Sequence, residues 1–227
     1  MKRRALQLLS VLLLVTVAAT LGCGQKPETD KRRIAFVFYG PDPAVDQTID
    51  GFLEALKDSG LVEGRTLAVE RRHASGEIAN FAPIYDSLDA QGLDLIVPLT
   101  TPSLTAAVAR VKRTRMVFVH TYAPFDAGVG ASLDSHLPNL TGVASFPPIV
   151  ETIDVITRLK PGIQRIGTIY NPAENNSVKA IKIAKDVLSG SGVELAEIAV
   201  TNTSEVMDAA RALQSRGVQA FWITGDN

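Results

Sequence analysis

The chain has 227 residues, 46% of them hydrophobic and 21% charged, a composition typical of a globular protein with one or two domains. Its 23 Lys and Arg residues nearly balance 24 Asp and Glu residues, so it carries no basic surface of the kind that binds nucleic acid. A single cysteine excludes an internal disulfide, and three histidines without ligand spacing predict neither a metal nor a cofactor.

The N-terminus has the organisation of a secretory signal over residues 1–22. A positive segment precedes an uncharged apolar run at 5–19, and Cys23 follows shortly afterwards. This arrangement resembles the bacterial lipoprotein signal, in which the cysteine is lipidated and becomes the mature N-terminus. An uncleaved anchor helix and plain secretion are the alternatives. We therefore expect a lipid-anchored protein of the cell envelope, on the periplasmic side of the inner membrane or on the outer membrane, with a polar tether at 23–33.

Behind the tether, short apolar runs alternate with stretches of helical periodicity. Strands are predicted at 33–39, 66–72, 93–99 and 116–120, with helices around 45–56, 78–88 and 104–111. Thr101 is predicted to cap the third helix, with Pro102 in its first position. A long irregular stretch then runs from 121 to 148.

After this break the alternation resumes. Helices are predicted at 149–159, 178–188 and 206–213, and strands at 165–170, 193–200 and 218–224. Alternating helices and apolar strands indicate parallel sheets that are covered on both faces. The fold class is therefore α/β, with two Rossmann-like lobes at 34–142 and 143–227. The second lobe is short and stops directly after a strand, so we expect it to be incomplete and the chain to be truncated.

In open parallel sheets, ligands bind beyond the carboxyl ends of the strands. Those positions hold turn residues, hydroxyls and aromatic rings. The candidate ligand-binding residues are Tyr39, Asp42, Thr101, Ser103, Tyr122, Asn171, Asn176, Ser177, Asp226 and Asn227. With two lobes facing each other, these loops are predicted to line one cleft between the lobes.

Each candidate also has a plainer interpretation. Thr101 and Asn171 are equally typical of caps and turns, Asp42 of a solvated loop, and Tyr39 of a core. The sequence contains neither a nucleophile elbow nor a phosphate-binding glycine loop. The cleft is therefore predicted to bind a ligand and not to catalyse a reaction.

Several ordered segments are similar to a bacterial family of ABC-transporter substrate-binding proteins. They are DGFLEAL at 50–56, GLVEG at 60–64, DLIV at 94–97, NLTGV at 139–143, RIG at 165–167 with YNP at 170–172, TSEV at 203–206 and GDN at 225–227. The resemblance extends over residues 33–227 in unbroken order. The segment at 139–143 matches the place where that family crosses between its lobes.

The resemblance implies a type I periplasmic-binding-protein fold whose cleft closes on a small solute. In characterised members that solute is an aromatic amino acid such as tryptophan. The expected partners are the ligand, an ABC permease and its ATPase, and the membrane through the lipid anchor. By the same resemblance, Asn176 and Ser177 hold a ligand carboxylate, Asp226 or Asn227 faces an ammonium group, and Thr101 contributes from the first lobe.

Two other functions remain open from the sequence. One is the extracytoplasmic ligand-sensing domain of a signalling receptor, which a transmembrane segment and signalling helices farther along the chain would favour. The other is an exported α/β enzyme, which turnover dependent on Ser177 or Asp226 would indicate.

Overall fold

The computed structural model describes residues 31–225. The predicted signal sequence, the lipidation site Cys23 and the candidate ligand residues Asp226 and Asn227 lie outside the described residues. Within 31–225, no helix is both long and apolar enough to cross a bilayer.

The first lobe is built on a five-stranded parallel sheet with the order β2-β1-β3-β4-β7. Its strands are β1 (Arg32–Phe38), β2 (Leu67–His73), β3 (Leu95–Pro98), β4 (Met116–Thr121) and β7 (Leu140–Ala144). The helices are α1 (Pro43–Asp58), α2 (Phe81–Ala90, after a 3-10 turn at Ile78–Asn80) and α3 (Thr101–Arg110). A small antiparallel hairpin, β5 (Gly130–Ser132) and β6 (Ser135–His136), precedes β7.

Both faces of this sheet are buried, as its continuous apolar strands require. Ala35 and Val37 lie in a core formed with α2 and α3, whereas Ile34 and Phe36 pack on the opposite face with α1. Neighbouring residues of a strand point to opposite faces, so a strand covered on both sides must be apolar throughout.

The second lobe is built on a three-stranded parallel sheet with the order β10-β8-β9. Its elements are α4 (Ile149–Leu159), β8 (Arg165–Tyr170), α5 (Asn175–Leu188), β9 (Glu194–Ala199), α6 (Val206–Ser215, after a 3-10 turn at Thr203–Glu205) and β10 (Ala220–Phe221). Helices α4 and α5 cover one face together with Trp222, and α6 covers the other. The predicted alternation of elements and the α/β class are thus confirmed.

Four local predictions need correction. Strand β1 begins at Arg32, so the end of the predicted tether is already part of the sheet. Thr100 and not Thr101 occupies the cap position of α3, and its side chain makes no capping hydrogen bond. Only Ala220–Phe221 of the last predicted strand pairs in strand geometry with β8.

The fourth correction concerns the passage between the lobes. The predicted crossing at 139–143 forms β7, the fifth strand of the first sheet, which continues to Ala144. The predicted boundary after residue 142 therefore falls inside a strand. The chain passes to the second lobe at 145–148, immediately before α4.

Candidate functional site

A cavity of about 160 Å³ lies where the carboxyl ends of the first-lobe strands meet the second lobe. Asp42, Ala44, Thr100, Thr101, His120, Tyr122, Asn176 and Gly225 line it. The last two belong to the second lobe and the others to the first. The cavity is smaller than the 300–1,000 Å³ usual for drug-sized ligands, so it suits a small solute.

Three helices begin at this cavity. Asp42 caps α1 by accepting a 2.7 Å hydrogen bond from the Ala44 amide, and Thr100 directly precedes α3. Asn176 is the second residue of α5. The first turn of a helix presents unpaired N–H groups and a partial positive charge. Since the carboxylate of Asp42 already occupies the start of α1, the arrangement favours an anionic group of a ligand at the starts of α3 and α5.

The first-lobe wall also carries a negative charge and two rings. Asp42 is the one carboxylate among the described lining residues, which include no lysine or arginine. The rings of His120 and Tyr122 lie with their centroids 6.3 Å apart. Burial of the Tyr122 hydroxyl, together with the charge of Asp42, raises the pKa of Tyr122, which therefore stays a neutral hydroxyl group near pH 7.

Asn176 forms the second-lobe wall and is held in a defined orientation. Its side chain is 2% exposed, and Nδ2 donates to the carbonyl of Gly225 over 3.2 Å. Its Oδ1 atom is buried and has no hydrogen-bond partner among the described residues. A buried acceptor without a partner is costly, so this oxygen is available for a donor group of a ligand.

The structure brings four of the predicted site residues together and leaves four elsewhere. Asp42, Thr101, Tyr122 and Asn176 line the cavity, and the amide of Tyr122 donates to Thr101 Oγ1 over 3.3 Å. Tyr39, Ser103, Asn171 and Ser177 are not among its described lining residues.

These four side chains have other roles. The Ser103 hydroxyl is fully buried, donates to the carbonyl of Val37 and accepts from the Tyr85 hydroxyl over 2.6 Å. Tyr39 packs near Phe81 in the core of the first lobe. Asn171 Oδ1 accepts from the Ala173 amide in a turn, and Ser177 is buried. Tyr39 thus lies in the core and Asn171 in a turn, as the alternative interpretations of these two residues predicted.

Sequence reasoning missed four individual lining residues, which are Ala44, Thr100, His120 and Gly225. Thr100 follows β3, His120 lies at the end of β4, and Gly225 follows β10. Position at a strand end was the available signal, and it selected loops that line the cavity. Which side chain of each loop faces the cavity depends on the backbone conformation of that loop. Position at a strand end does not predict this conformation.

The lobes also contact each other beside the cavity. Asp126 of the first lobe forms a 2.6 Å ion pair with Lys179 of α5, and its carbonyl accepts from Asn175 Nδ2 over 3.1 Å. Lys179 Nζ also lies 5.7 Å from the centroid of the Phe146 ring. These contacts hold the start of α5 against the first lobe.

Because both charged groups are about half exposed, this ion pair is expected to stabilise lobe contact only weakly. A double-mutant cycle with Asp126→Asn and Lys179→Met should give a coupling of about 0.2–1 kcal/mol at low salt. The coupling should shrink near 1 M NaCl, where the Debye length is about 3 Å. Chemical denaturation measures the coupling.

A matched ion pair within the second lobe serves as the control. Lys185 of α5 pairs with Glu197 of β9 over 2.7 Å, with similar exposure. Breaking either pair should have a similar effect on stability, but only Lys179→Met should raise the radius of gyration in X-ray scattering. Unchanged scattering for Lys179→Met at low salt would show that the ion pair does not hold the lobes together.

Comparison with known proteins agrees with this architecture. The chain is 26% identical over 185 residues to the tyrosine-binding protein of Clostridioides difficile, covering 82% of this chain and 53% of that protein. A conserved domain protein of Vibrio cholerae superposes with a TM-score of 0.77 at 26% identity, covering 82% of this chain and 63% of that one. The chain thus spans about half the length of the curated relative that it matches.

A further solved structure shares the fold. The ABC domain of Streptococcus pneumonia in complex with L-Trp superposes with a TM-score of 0.81 at 23% identity, covering 87% of this chain and 66% of that one. The parallel sheets of the two α/β lobes, together with this superposition, give the chain the type I periplasmic-binding-protein fold. The sequence profile described as ABC transporter substrate binding protein matches residues 34–227, and this chain belongs to that family.

Proposed function

We propose that this chain binds an amino acid in the cavity between its lobes and delivers it to the permease and ATPase of an ABC importer. The observation that carries the proposal is the pairing of charges in one small cavity. The starts of α3 and α5 favour a carboxylate, whereas the carboxylate of Asp42, which already caps α1, favours an ammonium group. A zwitterion satisfies both, and the rings of His120 and Tyr122 suit an aromatic side chain.

Family membership and the relatives support this proposal. The relative from Clostridioides difficile is a tyrosine-binding protein by name, and the structure from Streptococcus pneumonia contains L-Trp. L-tyrosine and L-tryptophan are therefore the first probes. The family consists of binding proteins, which fits the expectation that the cleft binds its ligand without chemical conversion.

The test is calorimetric titration of the full chain with the twenty L-amino acids. At least one should bind, and at a concentration of 100 times Kd it should stabilise the folded chain by about 2.7 kcal/mol. A flat response to all twenty, with no shift in melting temperature, would overturn the proposal.

Asn176→Ala tests whether binding takes place in this cavity. Removing the buried amide should weaken binding of L-tyrosine or L-tryptophan at least about tenfold, because a ligand contact and the bond to Gly225 are both lost. Asn202→Ala is the control, because the Asn202 amide also donates a hydrogen bond near a helix start, here to Glu205, but Asn202 is not among the described lining residues of the cavity. Equal affinity in Asn176→Ala and wild type would place the ligand elsewhere.

The site of action is a separate part of the proposal. We infer from the signal pattern that Cys23 is lipidated and anchors the chain at the cell envelope, with the lobes facing outwards. Labelled palmitate should mark the wild-type chain and not Cys23→Ser, which should appear in the soluble fraction. Membrane retention of Cys23→Ser without label would favour an uncleaved anchor helix.

A further inference from the structure

Thr100 has a backbone conformation that threonine rarely adopts. Its φ is 73° and its ψ is 157°, a region that is essentially restricted to glycine. Threonine is β-branched, so steric conflict at positive φ is greater than for most residues. The chain maintains this strained geometry at the junction of β3 and α3.

The Thr100 side chain adds a second cost to the folded state. The residue is 5% exposed, and Oγ1 is buried without a hydrogen-bond partner among the described residues. Its side chain does not bond to an amide of α3, although Thr100 occupies the cap position. A buried hydroxyl without a partner destabilises the folded state, because it has lost its hydrogen bonds to water.

Both costs occur at the cavity. Thr100 lines it together with Asp42, Tyr122 and Asn176. Among residues 31–225, the non-glycine residues with positive φ are Ser75, Thr100 and His120. Two of these three, Thr100 and His120, line the cavity. Strained backbone and unpaired buried polar atoms tend to coincide where a ligand completes the site.

We propose that Thr100 is a ligand-contacting residue that determines specificity, and that its hydroxyl donates a hydrogen bond to a carboxylate oxygen of the bound solute. The inference rests on the proposed amino acid binding. The start of α3 directly after Thr100 favours the same negative group. The unpaired hydroxyl of Thr100 thus lowers the stability of the free protein, and the ligand carboxylate supplies its hydrogen-bond partner.

The predicted signature is opposite effects on stability and binding. Thr100→Val keeps the shape and removes the hydroxyl, so the melting temperature of the free chain should be unchanged or higher. Its affinity for L-tyrosine should fall about tenfold, whereas affinity for tyramine, which lacks the carboxylate, should change little. Thr100→Ser should bind L-tyrosine within about threefold of wild type, and Thr100→Gly should melt about 2–4 °C higher.

Thr168 provides a matched control. It lies in β8 and is fully buried, and its hydroxyl has no partner among the described residues. It is not one of the lining residues that the structure describes for the cavity. Thr168→Val should have an unchanged or higher melting temperature and unchanged affinity for L-tyrosine. The comparison separates loss of a buried hydroxyl in general from loss of a hydroxyl that serves the ligand.

The outcomes separate this inference from the proposed function. If wild type binds L-tyrosine and Thr100→Val binds it equally well, or loses tyramine affinity to the same extent, the role of Thr100 is overturned and amino acid binding stands. A lower melting temperature for both Thr100→Val and Thr100→Gly would also overturn it, because the residue would then stabilise the fold. If wild type binds none of the twenty amino acids, the proposed function fails and this inference with it.

Discussion

Replacing Asp89 with asparagine is expected to lower the free energy of unfolding by about 2 kcal/mol at pH 7. Asp89 lies in the last turn of α2 and is 9% exposed. Its carboxylate accepts hydrogen bonds from the amides of Lys112, Arg113 and Thr114 and from the Thr114 hydroxyl, at 2.9–3.2 Å. It thereby fastens α2 to the loop between α3 and β4.

The pH dependence of stability identifies this role. Burial opposes the charged form, but the hydrogen bonds from Lys112, Thr114 and Arg113 outweigh it and lower the pKa of Asp89 to about 2. A carboxyl group with a lowered pKa stabilises the folded state fully above its unfolded pKa, near 3.9, and this contribution is lost as the pH falls towards 2. A difference of almost two pKa units corresponds to about 2.5 kcal/mol, close to the loss expected for the asparagine variant.

Urea denaturation of wild type and Asp89→Asn between pH 7 and pH 2 measures this contribution. The difference in unfolding free energy should be constant above about pH 5 and nearly vanish around pH 2. Asp86→Asn is the control, since Asp86 lies on the same helix but forms an exposed ion pair with Arg110. It should cost less than about 1 kcal/mol. If Asp89→Asn lowered the unfolding free energy by the same amount at every pH, the loss of stability would come from the changed shape of the side chain and not from its charge.

Asp89 also shows where sequence reasoning stops. Apolar periodicity predicted α2 correctly, because its buried side chains recur at helical spacing. The partners of Asp89 lie 23–25 residues farther along the chain, and no local pattern connects them. A pattern of burial can be read from neighbouring residues, whereas a long-range polar contact depends on how loops fold back.

The accuracy of strand prediction depended on whether the strand is buried on both faces of its sheet. The apolar segment RIGTIY predicted β8 with its observed bounds, because β8 is the central strand of its sheet and is buried on both faces. Strand β7 was not predicted, because it lies at an edge and four of its five residues are exposed. Gly142 also weakens its strand pattern, although a Cβ there would overlap the Phe118 side chain.

The sequence predicted the loops that line the cavity but only half of the individual lining residues. Ser103 and Ser177 have hydroxyls close to helix starts, which made them candidates, but both are buried and neither is among the described lining residues of the cavity. Thr100 was overlooked because nothing in the sequence indicates a positive φ for threonine. Helix rotation and backbone conformation decide which neighbouring residue faces the ligand.

Gly225→Ala is expected to weaken binding of L-tyrosine or L-tryptophan by about 100-fold, or about 2.7 kcal/mol. Gly225 of the second lobe lies against the ring of Tyr122 in the first lobe, and a Cβ on Gly225 would overlap that ring. Either the lobes must stay farther apart or the Tyr122 ring must leave its place in the cavity. Both responses remove contacts that a ligand needs on opposite walls.

The control is Gly51→Ala, because a Cβ on Gly51 in α1 meets no atom of residues 31–225 within 4 Å. This substitution should raise helix stability by about 0.5–1 kcal/mol and leave affinity unchanged. Titration calorimetry gives both affinities, and X-ray scattering with saturating ligand reports whether the lobes approach each other. Wild-type affinity together with a wild-type radius of gyration in Gly225→Ala would contradict the prediction. The Tyr122 ring would then move aside without cost, and the lobes would close without a glycine at this position.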